Sequence, residues 1–277
     1  MQIMGIVNTN PDSFSDAIPM RTLDEQLAHA RGLLGAGADV IDVGGESGVT
    51  YTELTPEAEE IERVTPLISA LAVDGATISI DTFKPAVADA ALGAGASILN
   101  DVSALHHPEL ADVAAAHGAT LIITHTRAAP KQRSFPKYDD VVADTVALLA
   151  EKTELAQSRG VKRVVLDPGP DFAKSPAETV AVLRSIEDVI GLGHPWLAAV
   201  SRKYFLGAIT GRAPDERLAG TLAAVGWAAD HGAAITRVHD VAATADYLAV
   251  RAVLRGDAEV PAFDNEDERL MWIRRDQ

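Results

Sequence analysis

The chain contains no cysteine. That single absence excludes disulfides, thiolate metal sites, iron–sulfur clusters and thiol nucleophiles, and it suits a reducing compartment. Cations are scarce: 24 Lys and Arg stand against 40 Asp and Glu, for a formal net charge of -16. Such a surface repels nucleic acid and anionic membrane, so any anionic ligand needs a local basic pocket. No apolar run approaches the roughly 18 residues of a membrane span. The opening segment Met1 to Asn8 lacks a basic region followed by a long apolar stretch, so it reads as a strand rather than a signal peptide, and a cytoplasmic location is expected. What the 277 residues do have is 47% hydrophobic content, enough to bury the core of one large domain or two small ones.

Eight short β-branched or apolar runs recur along the chain: Ile3 to Val7, Asp39 to Val43, Thr77 to Ile80, Ser97 to Leu99, Thr120 to Ile123, Arg163 to Leu166, Trp196 to Val200 and Ala234 to Val238. Each is followed by helical signals. Leu23, Leu27, Ala30 and Leu34 share one helical face, and Thr22 with Glu25 has capping-box spacing. Pro56, Pro85, Pro176 and Pro214 stand at plausible first helical positions, whereas Pro66 falls inside a helical pattern and predicts a kink or an early end. A near-repeat, Gly-Ala followed by an apolar run, recurs at Gly37, Gly75, Gly95, Gly118 and Gly232, where a left-handed residue would stop a helix before the next strand. Eight strand-then-helix units over about 250 residues fit a closed (β/α)8 TIM barrel, α/β and single-domain, better than an open doubly wound sheet. No linker interrupts it. The expected division is a barrel over 1–255 and a charged tail over 256–277 that is solvated or contacts a second subunit.

In such barrels chemistry sits where the strands end, because the loops there surround one opening. The residues at those ends are Asn8, Asp42, Asp81, Asn100 with Asp101, His125, Asp167, Ser201-Arg202-Lys203, and Arg237 with His239 and Asp240. Helix capping alone does not require Lys203, Arg237 and His239 on consecutive units. Carboxylates and an amide (Asp81, Asn100, Asp167) suit a flat heterocycle with an amidine-like N–H edge. The cationic group (Lys203, Arg237, His239) suits a phosphate or pyrophosphate. Asn8 could help hold Mg2+ that is bound mainly by water and phosphate oxygens. From the residues alone, a Schiff-base lysine at Lys203 or a non-catalytic ligand-binding barrel remain open.

The motifs Met4-Gly5-Ile6-Val7-Asn8-Thr9-Asn10-Pro11-Asp12-Ser13-Phe14-Ser15-Asp16, Asp42-Val43-Gly44-Gly45-Glu46-Ser47, Ser79-Ile80-Asp81-Thr82, Asn100-Asp101-Val102-Ser103, Asp167-Pro168-Gly169, Ser201-Arg202-Lys203 and Arg237-Val238-His239-Asp240 resemble, in order, those of the dihydropteroate synthase family. The resemblance implies condensation of 6-hydroxymethyl-7,8-dihydropterin pyrophosphate with 4-aminobenzoate (p-aminobenzoate), releasing pyrophosphate in folate biosynthesis, on a homodimeric barrel. It implies that Asp81, Asn100 and Asp167 hold the pterin, that Lys203 contacts both substrates, and that Arg237 and His239 bind pyrophosphate. Asn8 would meet Mg2+, and Asp16 would help assemble the aminobenzoate site.

The departures from that pattern cluster. Ser47-Gly48-Val49-Thr50 stands where the family usually reads Ser-Thr-Arg-Pro-Gly, and the first loop has Asn10 and Ala17-Ile18 where the family commonly has Thr and Gly-Gly. Tyr204 replaces a Ser, and Asp171 and Ala173 replace glycines or apolar residues. Weakened sulfonamide binding is therefore expected. Alternatives are a pterin-binding paralogue using another amine or none, and a methyltetrahydrofolate-type methyltransferase, which has no use for the cationic cluster. Asp42 and Asp101 are expected to orient loops, and His125 to be a satisfied strand-end histidine. His106-His107 is expected to start a helix rather than bind metal. Arg127, Lys131 and Arg133 are candidates to replace the missing loop arginine.

Overall fold

A computed structural model describes residues 1–9, 22–46, 53–132 and 134–262. Strands and helices alternate as β1 (Gln2–Asn8), α1 (Leu23–Gly35), β2 (Val40–Gly44), α2 (Glu57–Val73), β3 (Thr77–Asp81), α3 (Pro85–Gly93), β4 (Ile98–Asp101), α4 (Glu109–Ala116), β5 (Thr120–Thr124), α5 (Val141–Ser158) and β6 (Arg163–Asp167). Then follow α6 (Pro176–Arg184), α7 (Ile186–Ile190), β7 (Leu197–Ala198), α8 (Tyr204–Thr210), a 3-10 turn at Pro214–Glu216, α9 (Leu218–Asp230), β8 (Ile235–Val238) and α10 (Val241–Arg255). The strands are all parallel, in the order β6-β5-β4-β3-β2-β1-β8-β7. The two ends of that sheet meet at one bridge, Leu166 with Trp196, reinforced by Leu166 N–H donating to Pro195 O at 2.9 Å. The result is a single-domain, nearly closed (β/α)8 barrel. Among the described residues no helix is long and apolar enough to cross a membrane.

The period-two alternation of a strand explains how one sequence builds both a core and a site. Ile41, Val43, Ile78, Ile80, Leu99, Leu121, Ile123 and Leu166 pack outward with the helices in one apolar cluster. Met4, Val40, Ile98, Ile122, Val165, Leu197 and Ile235 form a second, smaller cluster that fills the barrel. Two residues further along the same inward face come Ile6, Asp42, Asn100, Thr124, Asp167, Ala199 and Arg237. The barrel interior is thus apolar at its base and mostly polar at its C-terminal rim.

The helix boundaries follow local chemistry. Thr22 and Glu25 form the capping box of α1, with Thr22 N–H donating to Glu25 Oε2 at 3.0 Å and Glu25 N–H to Thr22 Oγ1 at 3.2 Å. The five repeat glycines all sit left-handed before a strand, from φ 64° at Gly118 to 120° at Gly95. Three expectations need correction. Pro66 does not end a helix early, since α2 runs through it. The ring is on the exposed side, while Val64, Leu67, Ile68 and Leu71 keep a continuous buried face, so packing outweighs the one lost hydrogen bond. Pro56 is the residue before α2 rather than its first. His106 and His107 precede α4, which begins at Glu109, and pack edge to face at 5.1 Å.

Candidate active site

A cavity of about 480 Å³ opens at the C-terminal rim, and Asn8, Asp81, Asn100, Asp167, Lys203, Arg237 and His239 all line it. They arrive from β1, β3, β4, β6, the turn after β7, and β8. The remaining candidate, Asp16, lies outside the described residues, as do Asn10, Phe14, Ala17, Ile18 and Ser47 to Thr50.

The acidic and cationic groups are interlocked rather than separated into two halves. Arg237 donates from Nε to Asp42 Oδ2 at 2.6 Å and from Nη2 to Asp81 Oδ2 at 2.8 Å. Asn100 Nδ2 also donates to Asp42 Oδ2, at 3.2 Å. Asp42 is fully buried, its Oδ1 has no hydrogen-bond partner among the described residues, and its Oδ2 orients Arg237. Burial pushes the Asp81 carboxyl up to about 7, with Arg237 opposing and Asp42 adding to the rise. Burial likewise raises Asp167, opposed by the Gly169 N–H at 2.8 Å and by Lys203. Asp101 accepts hydrogen bonds from Ser103 and from Leu105 N–H, shaping the turn in which Ala104 and Leu105 are left-handed.

Of Ser201-Arg202-Lys203, only Lys203 lines the cavity. Its ammonium stands 4.5 Å from the centre of the Phe172 ring, and burial lowers its pKa against the pull of Asp171 and Asp167. Arg202, left-handed at φ 56°, turns to a two-point pair with Asp240 at 2.7 and 3.1 Å. Arg217 secures this turn by donating to the carbonyls of Arg202 at 2.9 Å and Lys203 at 3.2 Å. Gly207 leaves room for that guanidinium, since a Cβ would lie 2.2 Å from Arg217 Nη2 and push it aside. His239 is not a cation in this setting: burial, then Arg237 and Arg202, bring its pKa down to about 4. Ser201 Oγ accepts from His239 N–H at 3.2 Å and lies 2.9 Å from its Nδ1.

Two groups escaped the reading of the sequence. At one side of the mouth Lys84 joins Glu46 at 2.7 Å and the buried Glu60 at 2.6 Å, and Lys131 reaches Glu46 at 2.8 Å. Burial raises the Glu46 carboxyl, but hydrogen bonds from Lys131 and Lys84 outweigh it and hold the group below its ordinary range. Glu46 also accepts from Thr55 N–H at 3.0 Å, tying together the two ends of the second loop. At the other side, Lys174 is 1% exposed and sits 2.6 Å from His125 Nδ1. Neither lysine belongs to a periodic pattern, and only their place near a strand-end motif could have marked them. His125 is satisfied, between Lys174 and Asp144. Of the candidates for the missing loop arginine, Lys131 lines the cavity, Arg127 pairs with Asp144 at 2.8 Å, and Arg133 lies outside the described residues. Tyr204 is 63% exposed and does not line the cavity.

Comparison with known proteins matches this geometry to one family. A family model described as pterin binding enzyme matches residues 4–239. The dihydropteroate synthase of Bacillus subtilis (strain 168) is 42% identical over 243 residues, covering 86% of this chain and 83% of that protein. The structure of Xanthomonas albilineans dihydropteroate synthase with 4-aminobenzoic acid superposes with a TM-score of 0.85 at 41% identity, covering 94% of each chain. A Yersinia pestis dihydropteroate synthase in complex with a sulfonamide drug gives a TM-score of 0.86 at 35% identity, over 93% of this chain and 94% of that one. Fold, rim chemistry and these likenesses agree, and the chain belongs to the dihydropteroate synthase family of pterin-binding enzymes.

Proposed function

We propose that this chain joins 6-hydroxymethyl-7,8-dihydropterin pyrophosphate to 4-aminobenzoate and releases pyrophosphate, the dihydropteroate synthase reaction of folate biosynthesis. The observation that carries the reading is the convergence of Asp81, Asn100, Asp167, Lys203, Arg237 and His239 on one cavity. In the reaction the bond from the pterin methylene carbon to the diphosphate oxygen breaks, with its electrons leaving on the diphosphate. A new bond forms from that carbon to the aromatic amine nitrogen, which then loses a proton to water or to the departing anion. No covalent nucleophile is needed.

In this reading Asp81, Asn100 and Asp167 grip the pterin edge, and Lys203 lies between the two substrates. Arg237, already aimed by Asp42 and Asp81, receives the diphosphate, and neutral His239 contributes a hydrogen bond rather than a charge. Such preorganised donors are worth most where negative charge develops. Asp16 would complete the aminobenzoate side. For Mg2+, Asn8 is the residue in place, and among the described residues no cluster of three His, Asp or Glu forms a cage. A lone amide oxygen fits an ion bound mainly through diphosphate and water, which would supply charge neutralisation to the leaving group. A homodimer, a cytoplasmic location, and a barrel over 1–255 carrying a separate tail over 256–277 belong to the same proposal.

The test is pyrophosphate release from the pterin diphosphate with and without 4-aminobenzoate. Release that depends on the amine supports the synthase. Pterin binding without release under either condition overturns it in favour of a non-synthase pterin binder. Lys203→Ala and Arg237→Ala should each lower kcat/KM by roughly a hundredfold or more, the scale of losing a donor aimed at developing charge. Near-normal turnover would remove either residue from the proposed machinery.

A further inference from the structure

Lys174 is a buried amine that no step above uses, and burial brings its pKa down to about 7 against the pull of Asp167. It follows a segment, Gly169 to Ala173, in which every second residue is left-handed, and immediately precedes Ser175, the N-cap of α6. Its ammonium meets His125 Nδ1 at 2.6 Å, Gly169 O at 3.0 Å, and His125 O and Phe172 O at 3.3 Å each. Four acceptors face the amine, so its donors are taken up by protein and none is left to offer a substrate. The Asp144 carboxylate only accepts, so His125 Nε2 donates to Asp144 Oδ2 at 3.0 Å, and the neutral ring, its pKa brought down to about 3, accepts from Lys174 at Nδ1. Arg127 holds the same carboxylate from the far side, at 2.8 Å. Lys174, His125, Asp144 and Arg127 form one continuous polar chain beneath the site.

What Lys174 grips is the loop that follows Asp167. Gly169 (φ 65°), Asp171 (φ 64°) and Ala173 (φ 51°) are all left-handed, a course that side chains other than glycine resist. The backbone passes so close to His125 that a Cβ on Gly169 would lie 2.1 Å from its carbonyl oxygen. This loop carries Phe172, whose ring supports the Lys203 ammonium at 4.5 Å. Asp171 Oδ2 accepts from Phe205 N–H at 3.3 Å, linking the loop to α8, which begins just after Lys203.

We propose that Lys174 is a positioning residue for the synthase reaction. Seated on His125 and on the carbonyls of Gly169 and Phe172, it holds the 169–173 loop in its strained course and so fixes the Phe172 platform under Lys203 beside Asp167. The inference rests on the synthase reading for its kinetic consequence. It also predicts a loss of pterin binding that needs no turnover.

The experiment compares wild type with Lys174→Met, which keeps length and loses the charge. Affinity for 6-hydroxymethylpterin is measured by calorimetry, and KM for each substrate and kcat are measured by pyrophosphate release. The expected result is weaker pterin affinity and a pterin-diphosphate KM raised by about tenfold or more, the scale of a small misplacement at a site. KM for 4-aminobenzoate should rise as well, because the Lys203 ammonium that this loop supports lies between the two substrates. A lower melting temperature with unchanged pterin affinity and KM would assign Lys174 to stability alone and overturn the proposal. If wild type itself releases no pyrophosphate, the synthase reading fails, while the calorimetric comparison still decides the positioning role. Should Lys174→Met fail to fold, Asp144→Asn tests the same chain from a partly exposed carboxylate. A raised pterin KM supports the inference, and an unchanged one refutes it.

Discussion

Asp42 shows how much of the site depends on a side chain that ligands do not reach. Its spacing in the sequence is compatible with a loop-orienting acid, and its structure is that of a buried carboxylate supporting a guanidinium at 2.6 Å. Removing one partner of a buried ion pair is costly because it strands the other charge, typically by roughly 3–5 kcal/mol. Asp81 remains bonded to Arg237 at 2.8 Å, so Asp42→Ala should cost somewhat less. About 2–4 kcal/mol of unfolding free energy is expected in urea titration, together with a raised KM for the pterin diphosphate. A variant as stable as wild type would mean that Arg237 finds solvent or another acid. The strand-end position of Arg237 was legible from the sequence. Its two carboxylate partners were not, since they stand 195 and 156 residues away and register alone brings them together.

Among the elements, α2 tests the rule that proline ends a helix. Thr65 Oγ1 donates to Ile61 O at 2.8 Å in the turn before Pro66, and the buried stripe continues past it. Restoring the missing N–H at this exposed position should therefore help. Pro66→Ala is expected to raise stability by about 1–2 kcal/mol, less than the full helical penalty of proline because alanine also loosens the unfolded chain. Thermal unfolding measures it, and a lower melting temperature would show that the ring itself packs. The second loop matters differently. Glu46 and Thr55 anchor its ends through Lys84, which donates to Thr55 O at 2.6 Å. The residues between lack the usual arginine, and Tyr204 is exposed and outside the cavity lining, so an altered sulfonamide response rests on the loop departures rather than on Tyr204. Inhibition constants for sulfonamides should exceed those of a relative carrying Ser-Thr-Arg-Pro-Gly by about tenfold, the loss from one missing charged hydrogen bond. Equal potency would refute this. Strands, capping boxes and glycine stops were readable because each is a local signal of fixed period. Lys84 and Lys174 were not readable, because an isolated lysine carries the same local signature whether it is solvated or buried.

Across the whole molecule, stability against pH is a contest between opposite titrations. Burial lowers His125 to about 3 and His239 to about 4, so the folded chain binds fewer protons than the unfolded one as pH falls below the ordinary histidine range. That contribution to stability is complete above about pH 6.5 and is lost on acidification. Asp81, raised to about 7, with Asp101 and Asp167 also raised, works the other way. Their neutral forms favour the fold as pH drops. A difference experiment separates the two: between about pH 4 and 6, the slope of unfolding free energy with pH should fall by roughly 1.4 kcal/mol per unit in His125→Gln relative to wild type. An unchanged slope would mean that His125 is protonated in the fold.

The β6–β7 joint, closed by a single bridge from Leu166 to Trp196, lies between the acid at position 167 and the lysine at position 203. Every other neighbouring pair in the ring shares at least two registered positions. A slight shear along that thin seam would alter the gap between these two groups while leaving the rest of the ring intact. The thinnest seam of the ring thus lies beside the cavity, flanked by two of its lining residues.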